Sequence, residues 1–419
     1  MAKAFERGRA RRISPVTPHG SVAATGALAG LKVLDLSRFI AGPHCAMILG
    51  DLGASVVKVE RVQGGDEVRA LEPQMGGDSL YFQVFNRNKR SLTLDFRNPR
   101  AQDLLRRLVG RADVLIENFR AGTMEKMGLG WPEVHALNPR LVMARISGFG
   151  QQGPRAGEPC FDAIAQASSG LMSLTGSPDG PPMVAGTFLV DYSTSLYATI
   201  GVLSALQHRN ASGEGQLVDL SLLGAGISLL LTAVPEQAEF GRTMTRVGNR
   251  DRYSAPAQTF RTRDQRWIYL LAGNDAHFPR LCRIMQRKDL LEDPRFATIP
   301  ARMANVDAIE AIVGEWVGAR DAAEVLRLTR EAEVSCAEVA TIDEIVRDPR
   351  IRAEGHITEV SHGREGPVTM QASPIRMSKT PAEVRLAAPR LGEHTEEILS
   401  EWLSLDPREI AALKDSRVV

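Results

Sequence analysis

Two predicted strands flank a predicted helix near the start of the chain, and this succession constrains the fold more than any other part of the sequence. LKVLDLS (31–37) is typical of a buried strand, and SVVKVER (55–61) of a second one. Between them, AGPHCAMILGDLG (41–53) has the pattern of a turn followed by a helix. A helix between two strands indicates a parallel pair joined by a right-handed crossover.

The same alternation continues along the chain. Strands are predicted at 91–96, 112–119 and 141–150, with helical periodicity at 101–112 between two of them. This repetition predicts an α/β fold with a doubly wound parallel sheet.

The length of 419 residues exceeds that of a usual single domain, so we expect two domains. The segment 257–273 has the pattern of a β-hairpin that opens a smaller α+β domain. The predicted division is a disordered basic tail (1–26), a large α/β domain (27–230), a linker (231–256), a small domain (257–340) and a C-terminal segment (341–419).

Composition excludes several classes of function. Lys and Arg number 51 against 50 Asp and Glu, and a net charge of +1 predicts no attraction to nucleic acid or an anionic membrane. The apolar runs are too short to cross a bilayer, and no signal peptide pattern opens the chain. The widely spaced cysteines include no C-x-x-C pair, so we expect buried thiols in the cytoplasm; they are Cys45, Cys160, Cys282 and Cys336.

The basic tail has two interpretations. A plain bacterial extension is favoured by its prolines and weak amphipathicity, whereas a transit peptide would place the protein in the mitochondrial matrix.

The turn after the first predicted strand resembles a phosphate-binding turn in position only. It carries Ala41-Gly42-Pro43 where a dinucleotide fold has G-x-G-x-x-G, and Pro43 removes one backbone donor. We therefore predict that neither NAD nor FAD binds here.

A basic run, NRNKRS (86–91), precedes a predicted strand. It fits a solvated loop and equally a clamp for phosphate or carboxylate, since Arg offers a forked donor for such anions. Spacing alone leaves both interpretations open.

Two acidic residues, Asp162 and Asp191, follow apolar or aromatic residues. From the pattern alone, Asp191 is best explained as a side-chain cap for the helix that follows it. The scattered histidines form no ligand pair, so no metal is expected, and no G-x-S-x-G elbow indicates a hydrolase.

Several ordered segments carry a resemblance to a known family. They are LKVLDLS with AGP and LGDLGA, then FNRNKRSLTLD, DVLIENFRAGTMEKMGLG, FDAIAQASSGLMSLTG, DGPP, GEGQLVDLSLL and LGEHTEEIL. Together, across roughly residues 28–400, they resemble the family III CoA-transferases, which include formyl-CoA, crotonobetainyl-CoA and succinyl-CoA-dependent transferases and the α-methylacyl-CoA racemases.

The resemblance implies a nucleophile, an Asp about a dozen residues after D-G-P-P, which is Asp191 here. An Asp of ordinary pKa is ionised at pH 7 and could attack a thioester without a general base. The resemblance further implies coenzyme A as co-substrate and a set of residues that bind it: Arg38, Phe39, Ile40, Ala41, Arg61, Leu94, Asn118, Phe119, Arg120, Lys126 and Asp162.

Two departures narrow the predicted activity. Ile40 replaces the Gln of formyl-CoA transferases, and no poly-glycine flap is present, so oxalate and formate are poor candidates. Phe161 stands where the racemases have a catalytic His, so removal of an α-proton would lack one of its two bases. Racemization is therefore the second prediction, after CoA transfer. The prediction is CoA transfer from succinyl-CoA or a similar dicarboxylic thioester, with the Arg-rich residues 242–252 engaging a second carboxylate.

The resemblance also implies an assembly. It predicts a homodimer of interlocked chains, in which the C-terminal segment returns to the large domain of its own chain.

Overall fold

The computed structural model describes residues 26–75, 77–361 and 366–419, which form two compact units. The first unit holds the described residues up to Leu171, together with Ala185–Leu231 and Pro349–Val419. The second unit holds Met172–Val184 and Thr232–Asp348. All of the predicted basic tail except its last residue lies outside the described residues.

The strands, in chain order, are β1 (Lys32–Asp35), β2 (Ser55–Arg61), β3 (Gln74–Met75), β4 (Asp78–Ser79), β5 (Lys89–Leu94), β6 (Val114–Glu117), β7 (Val142–Ser147), β8 (Leu217–Ser221), β9 (Ala257–Arg261), β10 (Trp267–Leu271), β11 (Ser335–Glu338), β12 (Ile357–Ser361) and β13 (Pro367–Gln371).

The helices are α1 (Ala41–Asp51), α2 (Leu80–Asn86), α3 (Pro99–Val109), α4 (Thr123–Lys126), α5 (Trp131–Leu137), α6 (Asp162–Ser168), α7 (Leu171–Leu174), α8 (Leu189–Ser212), α9 (Leu222–Ser228), α10 (Ala233–Phe240), α11 (His277–Ile284), α12 (Asp289–Glu292), α13 (Ile299–Ala304), α14 (Val306–Gly318), α15 (Ala322–Glu331), α16 (Ile342–Arg347), α17 (Pro349–Ala353), α18 (Thr395–Leu403) and α19 (Pro407–Asp415). A short 3-10 helix covers Glu67–Ala70.

The first unit is built on a six-stranded sheet in the order β5-β2-β1-β6-β7-β8. Every neighbouring pair in it is parallel. Alternate strand residues point to opposite faces, so Val33 packs with α1 and α8 while Leu34 packs with α3, α18 and α19. Helices thus cover both faces, and the predicted α/β class with a parallel central sheet is confirmed.

A close approach fixes the start of α1 beside the end of β1. A Cβ atom at Gly42 would lie 2.2 Å from the Cβ of Ser37, so only glycine fits at this position. The turn that the sequence places between strand and helix is therefore tight, and it sits at the carboxyl edge of the sheet.

The basic run 86–91 is neither a solvated loop nor a free anion clamp, so both interpretations of it were wrong. Arg87 and Lys89 are 3% and 1% exposed. Arg87 pairs with Asp51 at 2.7 Å, and Lys89 pairs with Asp35 at 2.8 Å. Charges this deeply buried need partners, and the partners lie far away in the sequence, where spacing could not reveal them.

The buried Asp35–Lys89 pair stays ionised at neutral pH. Burial lowers the pKa of Lys89 to about 8, although Asp35 opposes that effect. Burial alone would raise the pKa of Asp35, but Lys89 and Lys58 outweigh it and hold that pKa below its usual value. The interior beneath the carboxyl edge of β1 and β2 is therefore a fixed array of charges.

The second unit carries a three-stranded antiparallel sheet in the order β11-β10-β9. β9 and β10 form the hairpin predicted at 257–273, with Ile268 opposite Phe260. Helices α11, α14 and α15 pack their buried residues against it, including Phe278, Val313 and Val325. The second unit thus consists of a small antiparallel sheet packed against helices.

Candidate active site

A groove of about 230 Å³ opens at the carboxyl edge of the parallel sheet in the first unit. Ligands of open parallel sheets usually bind at this edge, because the loops that leave the strands converge there. The loops after β1, β2, β5 and β6 supply most of the lining, which consists of Leu36, Ser37, Arg38, Lys58, Val59, Glu60, Arg61, Gly65, Asp66, Phe96, Phe119, Thr123 and Met127.

Cationic and aromatic side chains meet in this groove. The guanidinium of Arg38 lies 5.2 Å from the ring centroid of Phe119. Arg61 donates from Nε and Nη2 to the carbonyl of Gly65, at 3.1 and 2.9 Å. Asn118 accepts from the backbone N–H of Arg38 at 2.8 Å and donates to its carbonyl at 2.6 Å, so it holds the loop that carries Arg38.

The other residues implied for CoA binding differ in how exposed their side chains are. Arg120 and Lys126 are exposed beside the groove-lining residues Phe119 and Met127 in the chain. In contrast, three side chains are buried and present little or no surface to a ligand: Ile40, Ala41 and Leu94.

The two predicted acids are brought together at the start of α8. Asp191 is the third residue of that helix, and Asp162 is the first residue of α6. Oδ1 of Asp162 accepts the backbone N–H groups of Val190 and Asp191, at 2.8 and 3.1 Å. Asp162, which is 2% exposed, therefore caps a helix that begins 27 residues after it.

From the pattern alone, Asp191 was predicted to cap the helix that follows it, and this prediction was wrong. Asp191 lies within the first turn of α8, and the N-cap position belongs to Phe188, whose side chain makes no capping hydrogen bond. Asp162 likewise lies inside α6, whose N-cap is Phe161. The cap of α8 comes instead from Asp162 across space.

Gln166 completes this arrangement, and sequence reasoning missed it. Its Nε2 donates to Oδ2 of Asp162 at 2.6 Å, and its Oε1 accepts the backbone N–H of Ala185 at 2.9 Å. Gln166 is fully buried. Its spacing of four residues from Asp162 on a helix was a usable signal, because such pairs share a helix face.

The carboxyl of Asp191 does not have the ordinary pKa assumed from its residue type. Burial raises this pKa to about 7, with a further contribution from the negative charge of Asp162. At neutral pH the group is therefore close to half ionised. Within the described residues, no side chain or backbone group donates a hydrogen bond to its oxygens, so the carboxyl is available for chemistry.

Aromatic contacts link the groove to Asp191. Phe39, which follows the groove residue Arg38, packs edge-on against Phe161 at 5.4 Å between ring centroids. Phe161 precedes Asp162 and is 60% exposed. Tyr81 lies 6.2 Å from Phe188, and burial raises the pKa of its phenol, as does the charge of Asp191. Aromatic side chains thus connect the loop that carries Arg38 with the residues that precede Asp162 and Asp191.

His44 packs against Tyr192, the residue that follows Asp191. Its Nδ1 lies 2.5 Å from the hydroxyl of Ser195, which itself donates to the carbonyl of Tyr192 at 2.7 Å. Since that hydroxyl hydrogen is already used, Nδ1 of His44 is the donor. Burial lowers the pKa of His44 to about 4, and Arg87 and Lys89 contribute. The ring is neutral, so it packs against Tyr192 without adding charge.

The Arg-rich segment 242–252 is largely engaged within the second unit. Arg246 donates to the carbonyl of Gly180 at 2.9 Å, Arg250 pairs with Glu310 at 2.6 Å, and Arg252 donates to the carbonyl of Thr245 at 2.7 Å. The guanidinium of Arg242 lies over the ring of Phe240. Three of these four side chains already satisfy internal acceptors, which the sequence did not reveal.

Within the described ranges, no set of three or more His, Cys, Asp or Glu side chains is grouped so that it could hold a metal ion. None of the helices in the described part of the chain is both long and apolar enough to span a membrane.

The chain thus combines a parallel sheet, a cationic groove at the carboxyl edge of that sheet and a partly ionised carboxyl in the first turn of α8, which suits an α/β enzyme that acts on an anionic ligand. The family model described as CoA-transferase family III matches residues 28–395. The chain belongs to this family and is a CoA-transferase, an enzyme that moves CoA from an acyl-CoA to a free carboxylic acid.

Similar proteins agree with this assignment. The succinyl-CoA–D-citramalate CoA-transferase of Chloroflexus aurantiacus is 37% identical over 93% of this chain and 97% of its own. The succinyl-CoA:mesaconate CoA-transferase of Haloarcula hispanica is 38% identical over 90% of this chain and 96% of its own. A solved CAIB/BAIF family protein from Brucella suis superposes with a TM-score of 0.80 at 35% identity, over 90% of this chain and 100% of its own.

We expect Asp162→Asn to lower the pKa of Asp191. The substitution removes the negative charge that helps to raise this pKa to about 7, while an oxygen remains to accept the N–H groups of α8. Carbon-13 NMR of the aspartate carboxyl carbons, with the Asp191 signal assigned by its loss in Asp191→Asn, should show a lower titration midpoint.

The matched control is Glu158→Gln, which removes a carboxylate from an exposed loop residue paired with Arg155. It should leave the Asp191 midpoint unchanged. An unchanged midpoint in Asp162→Asn as well would show that the charge of Asp162 does not act on Asp191.

Proposed function

We propose that this enzyme transfers CoA from succinyl-CoA, or a similar dicarboxylic thioester, to a second dicarboxylic acid through covalent intermediates on Asp191. The observation that carries the proposal is the carboxyl of Asp191 itself. It is fixed at the first turn of α8 by the backbone contact with Asp162, yet its own oxygens accept no hydrogen bond from the described residues. A fixed but unengaged carboxylate is what a nucleophile requires.

CoA would lie along the groove at the carboxyl edge of the sheet. Arg38 and Arg61 supply charge for its phosphates, and the face of Phe119 suits the adenine ring. Arg120 and Lys126, exposed next to groove residues in the chain, extend the positive charge. The pantetheine arm would then run past Phe39 and Phe161 towards Asp191.

In the first half of the reaction, CoA passes from the donor acyl group to the Asp191 carboxyl. An oxygen of the Asp191 carboxylate attacks the thioester carbon, the C–S bond breaks, and a mixed anhydride and CoA thiolate result. The thiolate then attacks the Asp191 carbonyl carbon of the anhydride. This step releases the donor acid as its carboxylate and leaves CoA joined to Asp191 as a thioester.

The second half runs the same steps in reverse with the acceptor. The acceptor carboxylate attacks the aspartyl thioester, which expels CoA thiolate and forms a second anhydride. The thiolate attacks the acceptor carbonyl carbon, so a new acyl-CoA leaves and the Asp191 carboxylate is regenerated. Because only the ionised carboxyl attacks, the first half-reaction should accelerate as the pH rises through about 7.

Replacing Asp191 should abolish transfer. We expect Asp191→Asn to lose about 10³-fold or more in kcat/KM, since a covalent route is lost outright. The assay follows succinyl-CoA and the new acyl-CoA by mass spectrometry, with Glu158→Gln as the control that retains activity. Transfer that survives in Asp191→Asn would contradict a covalent role for Asp191, whereas α-deuterium wash-in without any acceptor acid would favour racemization.

The proposed substrate class rests on the named relatives, because citramalate and mesaconate are both dicarboxylic acids. With succinyl-CoA as donor, we expect kcat/KM for L-malate, citramalate or mesaconate to exceed that for propionate by about 10²-fold, as a site built for a second carboxylate rejects acids that lack it. A panel of acceptors at equal concentration measures this ratio. Equal rates for mono- and dicarboxylic acids would overturn the assignment of substrate class.

The enzyme is further proposed to act as a homodimer. Apolar side chains on α8 lie exposed on neighbouring turns, with Leu196, Tyr197 and Ile200 at 51%, 43% and 59% exposure. Surfaces of this kind usually meet another protein surface.

Sedimentation equilibrium should give a mass about twice the chain mass of 45.6 kDa, and Ile200→Glu should shift the equilibrium towards the monomer. Leu137→Glu is the matched control, because Leu137 is 47% exposed at the end of α5, on the opposite face of the sheet. A monomer for the unaltered enzyme at micromolar concentration would refute the dimer.

A further inference from the structure

A carboxylate stands between the two arginines of the groove. Oε1 of Glu67 lies 2.6 Å from Nη1 of Arg38 and 3.4 Å from Nη2 of Arg61. The side chains of Arg38 and Glu67 are each 36% exposed, and that of Arg61 is 51% exposed. An acid in this position offers the arginines the same kind of oxygen that a phosphate would offer.

The backbone that carries Glu67 is anchored on both sides. Asp66 forms an ion pair of 2.8 Å with Lys58, and both side chains are fully buried. Arg69 forms a bidentate contact with Glu60, at 2.8 and 2.7 Å. Lys58 and Glu60 belong to β2, so the 3-10 helix is fastened to the central sheet. Glu67 can therefore leave the arginines only by rotation of its own side chain.

The contact between Glu67 and Arg38 is incomplete. Nε of Arg38 and Oε2 of Glu67 are shielded from water, and neither has a hydrogen-bond partner among the described residues. A bidentate contact would use both of these atoms, but the hydrogen bond joins only Nη1 of Arg38 and Oε1 of Glu67. Shielded polar atoms without partners weaken the contact, and a phosphate could engage the guanidinium edge of Arg38 more fully.

We infer that Glu67 is an internal competitor for the phosphates of CoA. In the free enzyme its carboxylate holds Arg38 and Arg61 at the groove, and a CoA phosphate displaces it when the cofactor binds. The inference rests on the proposed binding of CoA in this groove. Glu67 thereby keeps the arginines in position between turnovers and weakens the binding of CoA, which favours release of the acyl-CoA product.

Removing the charge of Glu67 should tighten CoA binding. We expect the Kd of CoA, measured by isothermal titration calorimetry, to fall about threefold to tenfold in Glu67→Gln, because two exposed charge pairs no longer compete with the ligand. The Kd of D-pantetheine, which has no phosphate, should not change. Glu67→Ala should also lower the Kd of CoA. Because alanine has no amide, this result would assign the tighter binding to the loss of charge.

Two comparisons complete the experiment. Glu72→Gln removes an acid from the same segment, but the Glu72 carboxylate accepts from the backbone N–H of Gln74, so CoA affinity should stay unchanged. Arg38→Gln should weaken CoA binding, and the gain from Glu67→Gln should shrink in the double variant because the two residues act through one contact.

The inference is overturned if CoA binds Glu67→Gln with unchanged or lower affinity, or if D-pantetheine gains as much as CoA. Failure of the proposed function would look different. In that case the unaltered enzyme would not bind CoA, or Asp191→Asn would retain transfer, whatever the behaviour of Glu67.

Discussion

The hydrogen bonds from the first turn of α8 to the carboxylate of Asp162 are the contact on which the proposed chemistry depends. These hydrogen bonds position Asp191 and leave its carboxyl oxygens unengaged. Burial raises the pKa of Asp191 to about 7, and the nearby negative charge of Asp162 contributes. Gln166 holds Asp162 in turn and ties it to the backbone at Ala185. One buried acid thus places the proposed nucleophile and adds to the effect of burial on its pKa.

Buried ion pairs lie beneath the groove that carries Arg38 and Arg61. Lys58 pairs with Asp66, and Lys89 pairs with Asp35, all beneath the loops that leave β1 and β2. Such pairs contribute little net stability, since their attraction mainly offsets the loss of hydration. They do fix the loops that carry Arg38 and Glu67, so the groove has a defined arrangement of charge before any ligand arrives.

Much of the fold could be predicted from the sequence, because apolar runs of strand length alternate with helical periodicity, as in 31–61 and the hairpin at 257–273. Contacts between distant residues could not. No local pattern pairs Arg87 with Asp51, or joins Asp162 to a helix that starts 27 residues later. Residue type predicted an ionised Asp191, but its pKa follows from burial, which only the packed structure determines.

Oxygen labelling tests the role of Asp191 most directly. If the acceptor carboxylate carries oxygen-18 and turnover passes through an anhydride on Asp191, collapse of that anhydride leaves one labelled oxygen on the enzyme. Mass spectrometry of the peptide that contains Asp191 should then show a gain of about 2 Da on that residue after a single turnover, rising towards about 4 Da over many turnovers, because each turnover exchanges one carboxyl oxygen. An unlabelled Asp191 after many turnovers, or label on a different residue, would contradict the account.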